Sequence, residues 1–172
     1  MGTRNLTIIK IDNEIKVAQY GQWDGYPTGQ GKTIAKFFSQ YGQNIDEFKT
    51  KVRNLRWLSK KEHNAILKKY TTKGWMTIDQ GNKFNRYYPH LTRDNGAKIL
   101  FYIMNKKIKG LINNIDFLKD GLFCEWAYEI DLDNNIITVL KSGNNIYAQY
   151  DIDKFTVEEM VKLEEKYEME EN

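Results

Sequence analysis

The chain has 172 residues, 41% of them hydrophobic and 13% aromatic, which is enough apolar material for the core of one ordinary domain spanning 1–172. A single cysteine, Cys124, excludes an internal disulfide framework, and no apolar run reaches the about 18 residues that a membrane span needs. The N-terminus lacks the basic and apolar regions of a secretory signal, so a cytoplasmic protein with no membrane partner is expected. The net charge of +3 is unevenly spread: residues 49–73 hold nine cations against Glu62 alone, and residues 156–172 hold seven glutamates against two lysines.

In chain order, residues 6–11 are β-branched and apolar, residues 15–20 alternate, and Asp12-Asn13-Glu14 separates them, which predicts an N-terminal hairpin. Residues 19–31 follow, QYGQWDGYPTGQG. Four glycines and Pro27 within thirteen residues argue against a helix and against an ordinary strand. Ile34, Phe37, Phe38 and Tyr41 then keep helical spacing up to Gly42. A second helix is expected from Asn44, burying Ile45, Phe48, Val52 and Leu55. A third is expected from Ser59, with Glu62 completing a capping box and Ile66, Leu67 and Tyr70 buried. Residues 75–78 read as a short strand and residues 84–90 as aromatic and irregular. Thr92 reads as the cap of a fourth helix that buries Ile99, Leu100, Ile103 and Met104. Residues 122–132, 136–141 and 146–152 form a meander with polar turns. A last helix starts at Thr156, with Glu159 in a capping box and Phe155 and Met160 placed as a hydrophobic staple. The fold class is therefore α+β, a single domain in which the hairpin and the meander build antiparallel sheets flanked by helices.

Three constellations carry candidate chemistry. In the glycine-rich stretch, Gln30-Gly31-Lys32-Thr33 has the ending of a phosphate-binding loop, but Tyr26 stands where that motif requires glycine. Asp24 reads instead as a fixed acceptor ringed by Tyr20, Trp23 and Tyr26, either in a recognition loop or in a rigid core turn. His90 offers an acid–base group and Arg93 an anion-binding one; the alternative is a helix cap with an Arg93–Asp94 pair, and His63 reads as a surface residue among lysines. Strand alternation puts Cys124, Trp126, Tyr128 and Ile130 on one face, and no sequence-local base activates Cys124. One cysteine and two distant histidines give no metal-ligand spacing, and no motif calls for a cofactor. The cations of 49–73, with Lys60, Lys61, Lys68 and Lys69 at their centre, form either a solvated face or a polyanion-binding patch.

The blocks MGTRNLT, QYGQWDGYPTGQG, LTRDNGAKIL and FCEWAYEIDLD resemble a family of small proteins of bacteriophages and mobile elements. The resemblance implies phage or prophage origin and supplies no activity. The layout also resembles N-terminal nucleophile hydrolases, in which a hairpin leads to a polar segment whose Asp approaches the first residue. That likeness implies a sandwich of sheets, with Asp24 closing the hairpin. Such enzymes start on Cys, Ser or Thr, whereas Gly2 and then Thr3 stand here, so the likeness implies the fold without the nucleophile.

The function expected from these readings is a binding protein, not an enzyme, that interferes with a host defence component in the host cytoplasm. Its partner would be a protein, a guide RNA or a nucleotide signal, and Arg4, Tyr20, Gln22, Trp23, Asp24, Tyr26, His90 and Arg93 are its candidate binding residues. One alternative is a small hydrolase with Asp24, His90 and Arg93 around one pocket. Another is a nucleic-acid-binding accessory protein using the basic helices.

Overall fold

The computed structural model describes residues 2–171. The predicted hairpin forms as β1 (Asn5–Ile11) and β2 (Glu14–Gly21), closed by Asp12 and Asn13, both at positive φ. Two successive positive-φ residues are what a tight two-residue hairpin turn requires. The turn is clamped from outside: the backbone N–H groups of Asp12 and Asn13 donate to the two carboxylate oxygens of Asp133, at 2.9 and 3.0 Å. Asp133 belongs to the turn between β5 (Trp126–Asp131) and β6 (Ile136–Lys141), so this clamp joins the hairpin to the meander.

The two strand groups merge into one mixed sheet of order β2-β1-β5-β6-β7, with β7 spanning Asn145–Asp151. All neighbouring strands are antiparallel except β1 and β5, which run parallel with Ile9 opposite Ile130. The expected α+β domain with helices flanking the sheet is formed. Of the two arrangements open to the strand groups, one sheet or two stacked, they take the single sheet, and the sandwich that the hydrolase likeness implied is not formed. The parallel seam places hairpin and meander in a single layer, leaving only a second pair, β3 (Arg56–Trp57) with β4 (Gly110–Leu111).

Alternation along the strands gives the sheet two apolar faces. On one, Ile9, Ile11, Val17, Trp126, Tyr128, Ile130, Ile137 and Val139 meet α1 (Lys32–Tyr41), α2 (Ile45–Arg53), α5 (Lys98–Asn105) and α6 (Val157–Glu171) through Phe37, Phe48, Val52, Ile99, Ile103 and Met160. Each such fully buried large side chain contributes about 1.5–3 kcal/mol. The other face is thinner: Leu6, Ile8, Cys124, Ala127 and Leu140 are covered by Ile15 and by Ile115, Phe117 and Leu118 of a short 3₁₀ turn. Cys124 thus lies across the sheet from Trp126, against the expected shared face. The strand starts only at Trp126, so the alternation does not extend back to Cys124.

Several elements differ from the expectation for physical reasons. Residues Pro27–Gly31 form a π-helical turn that feeds α1, so the glycine-rich stretch is partly helical. Helix α1 does end at Gly42 as expected, but with an ordinary right-handed φ in place of a left-handed cap, and a 3₁₀ turn (Gly42–Asn44) carries the chain on into α2. The capping box of Ser59 and Glu62 opens α3 (Lys60–Lys68), yet none of its residues is buried. No strand forms at 75–78, and the aromatic segment is the end of a helix, α4 (Ile78–Tyr87), opened by a Thr77–Gln80 capping box. Thr92 does not cap α5, because Gly96 at φ +46 interrupts the chain between them. Thr156 accepts from the Glu159 backbone N–H at 3.2 Å, and Phe155 and Met160 are buried as a staple requires. No described helix is long and apolar enough to cross a membrane.

Candidate functional site

The glycine-rich stretch is a junction. Its backbone and side chains are tied to four other parts of the chain. The Gly25 N–H donates to Thr3 O at 3.0 Å, and the Asn5 amide donates to Trp23 O at 3.1 Å. Gln30 donates to Trp23 O at 3.1 Å and accepts from the Ala97 N–H at 2.7 Å. The Gln22 N–H donates to Asp94 at 2.7 Å, and the N–H groups of Asn95 and Gly96 donate to Tyr20 O. The Thr28 N–H donates to Glu164 of α6 at 2.7 Å, and the buried Tyr128 hydroxyl donates to Gly25 O at 2.8 Å. Two of the sequence blocks, QYGQWDGYPTGQG and LTRDNGAKIL, therefore meet in space. Gly29 is required by closeness: a Cβ there would sit 2.1 Å from Asp24 O. Asp24 itself holds φ +55.

What this junction leaves exposed is small. Trp23 is 54% exposed, with the Gly2 backbone lying against its ring. Asp24 is exposed, and Tyr26 packs partly on Trp126 and Tyr167. Trp23 and Asp24 border a cleft of about 290 Å³, shared with Gln30, Thr33, Asp94 and Lys98.

The other predicted residues go elsewhere. Arg4 lies over the Phe123 ring at 4.5 Å, and its backbone N–H donates to Glu125. The Tyr20 hydroxyl donates to Gln22 at 2.6 Å. The Tyr20 ring is met edge-on by Phe117 at 4.9 Å and capped by the Arg93 guanidinium at 5.5 Å. Tyr20 and Arg93 line a second pocket, of about 510 Å³, together with His63, Asn113 and Asn114. Arg93 does not pair with Asp94, whose carboxylate holds the Gln22 N–H instead. His90 borders neither cavity. Burial, and then the nearby Lys106, push its imidazole down to about 4, and its buried Nδ1 has no partner. Asp24, His90 and Arg93 are thus not gathered around one pocket, and the hydrolase arrangement is corrected on that ground. Cys124 is fully buried, with its thiol pushed up to about 12, chiefly by burial; it is an inert core side chain.

The basic stretch is the most distinctive surface. No residue between 58 and 96 belongs to either core cluster. Helices α3 and α4 form a lobe held by its own aromatic group, in which Tyr70, Phe84, Tyr88 and His90 meet in sequence at 5.6 to 6.1 Å. Lys60, Lys61, Lys68 and Lys69 are exposed and have no ion-pair partner among the described residues. Arg56 does pair, at 2.7 Å, with Glu62, whose carboxyl is lowered to about 2 by that bond and by Ser59. Between the helices, Thr72 and Trp75 bridge across Lys73 and Gly74, both at positive φ. Gln80 donates to the Thr72 hydroxyl at 2.8 Å, fixing this tip to α4. The tip holds Trp75 66% exposed, and Tyr87 at the end of α4 is 64% exposed.

Sequence reasoning missed Trp75 and Tyr87 as surface groups, and missed His63, Asn113 and Asn114 as pocket walls. Exposed aromatics among lysines were the available signal for the first pair; polar loop residues gave none for the second set. A further cleft, of about 810 Å³, lies away from all of these, between α1 and the start of α6, with Phe38, Ile45 and Phe155 in its wall. No family model, curated protein or solved structure matches this chain.

Proposed function

We propose that this chain is a nucleic-acid-binding protein that holds single-stranded RNA or DNA on the lobe formed by α3 and α4. The observation that carries the reading is the rigid Thr72–Trp75 tip. It holds a largely exposed indole in the loop that follows Lys68 and Lys69, two residues after Lys73, and Lys68 and Lys69 have no ion-pair partner among the described residues. Unpaired cations attract a phosphate backbone, and a fixed aromatic face accepts a stacked base; together they make a sequence-tolerant single-strand site. A duplex, whose bases are already stacked, has less use for Trp75. Among the partners expected of a mobile-element protein that disables a host defence component, this reading favours RNA over a protein surface.

The test is anisotropy of a labelled single-stranded oligonucleotide at several salt concentrations. Log affinity should fall linearly with log salt, by about 0.7 per neutralised phosphate. Changing Lys60, Lys61, Lys68 and Lys69 together to Glu should abolish binding. Trp75→Ala should cost about 1–3 kcal/mol, the worth of one base–aromatic stack. No detectable binding at low salt would remove the proposal and leave the lysines as a solvated face.

A further inference from the structure

The pocket at the edge of β2 has a one-sided supply of hydrogen-bonding groups. Asn114 uses its Oδ1 to accept from the Tyr20 N–H at 3.2 Å, and Asn113 uses its Oδ1 to accept from the Ile115 N–H at 3.0 Å. These backbone donors fix which way both amides face. Each Nδ2 is left as a donor without a partner among the described residues. Arg93 has no carboxylate partner among the described residues either and lies over the Tyr20 ring. His63 contributes a buried Nε2 with no partner. The one acid in the wall, Asp116, is occupied by Lys119 at 2.6 Å. Behind these groups stand Tyr20 and Phe117, locked edge to face. A space of about 510 Å³ is within the range of small-ligand pockets, roughly 300–1,000 Å³.

An unpaired guanidinium favours a phosphate, free amide N–H groups favour ring carbonyls, and an aromatic wall favours a flat ring. We infer that this pocket binds a nucleotide, with its phosphate on Arg93, its carbonyl-bearing base edge on Asn113 and Asn114, and its ring along the wall formed by Tyr20 and Phe117. The pocket adjoins the basic lobe, whose α3 supplies His63 to its wall, but none of the lobe's lysines and not Trp75 lines it. The same chemistry is offered by a free mononucleotide and by the 5′-phosphorylated end of a strand.

Calorimetric titration of the full chain with UMP, GMP, AMP and inorganic phosphate tests this. Saturable binding of UMP or GMP is expected, with AMP, which has no base carbonyl, the weakest nucleotide. Arg93→Ala, a change at an exposed side chain, should weaken it at least about tenfold, and Arg93→Lys should recover only part. Trp75→Ala, which changes no residue lining this pocket, should bind UMP as the parent does while losing single-strand affinity, which separates failure here from failure of the single-strand reading. A 5′-phosphorylated oligonucleotide compared with its 5′-hydroxyl form distinguishes the sources. A gain from the terminal phosphate that vanishes in Arg93→Ala assigns the pocket to a strand end, and equal affinities with Arg93-dependent UMP binding assign it to the free nucleotide. No saturable nucleotide binding, phosphate binding as tight as UMP, or binding indifferent to Arg93 would each overturn the inference.

Discussion

His90 shows how a residue suggestive in sequence is turned to structure. An imidazole normally titrates near 6.5, but burial beside Lys106 lowers this one to about 4. The unfolded chain therefore binds the extra proton first. Between those two values stability should fall as pH falls, because protonating His90 favours unfolding. His90→Phe keeps the ring contact with Tyr88 and removes the titration. Its melting temperature should drop less than the parent's between pH about 7.5 and about 5; an identical drop would show that other groups carry the acid limb. The tryptophans separate in the same way by burial. Trp126 is 1% exposed and Trp23 is 54% exposed. Trp126→Ala should cost about 3–5 kcal/mol in denaturant unfolding. Trp23→Ala should cost well under half of that, since its ring is mostly in water already. Gly29→Ala should be worse than its single methyl suggests, by about 3 kcal/mol, because the new Cβ meets a carbonyl oxygen rather than a movable side chain.

At the scale of elements, legibility followed the strength of local pattern. β1, β2, β6, β7, α1, α2 and α6 were readable because each has an apolar face of clear period and turn or cap residues at its ends. Helix α4 was hidden: it buries only Phe84, carries Gly81 in its interior, and its aromatics read as irregular. The parallel β1–β5 seam was hidden for a different reason. It pairs residues about 120 positions apart, and its register depends on Asp133 capturing a distant turn. The nucleotide pocket depends on a similar long-range match, the docking of residues 112–114 along β2, where the Asn114 N–H donates to Ala18 O at 3.0 Å. Helix α3 tests what a cap can do without a core. With no buried residue, its order leans on Ser59 and Glu62. Ser59→Ala should cost about 1 kcal/mol, read as faster amide exchange in α3 while protection in β1 and β5 is unchanged. Equal loss of protection in the strands would mean that α3 is part of the global folding unit.

The whole molecule is built at two grades. The sheet with α1, α2, α5 and α6 shares one apolar cluster, from Ile9 to Leu163. The lobe of α3 and α4, between residues 58 and 90, lies outside it, held by an aromatic group, two capping boxes and the two-residue β3–β4 pair at its base. Regions with few buried apolar contacts open locally at lower free energy than the core. Native-state hydrogen exchange should therefore show α3 and α4 exchanging through a partial opening well below the global unfolding energy set by β1 and β5. A surface that must adapt to a flexible strand tolerates such an opening, whereas the glycine-rich junction, tied to β1, α5 and α6, does not. A ligand that binds only the closed lobe raises its opening energy by RT ln(1 + [L]/Kd), about 2.7 kcal/mol at one hundred times Kd. Single-stranded oligonucleotide should then protect α3 and α4 amides strongly and leave the most protected strand amides nearly unchanged, as long as the lobe remains the weaker unit. UMP should instead slow exchange at residues 112–117 and around Arg93. Oligonucleotide protection confined to the strands, with α3 and α4 exchanging as before, would place the nucleic acid elsewhere on the molecule and remove the lobe from the argument.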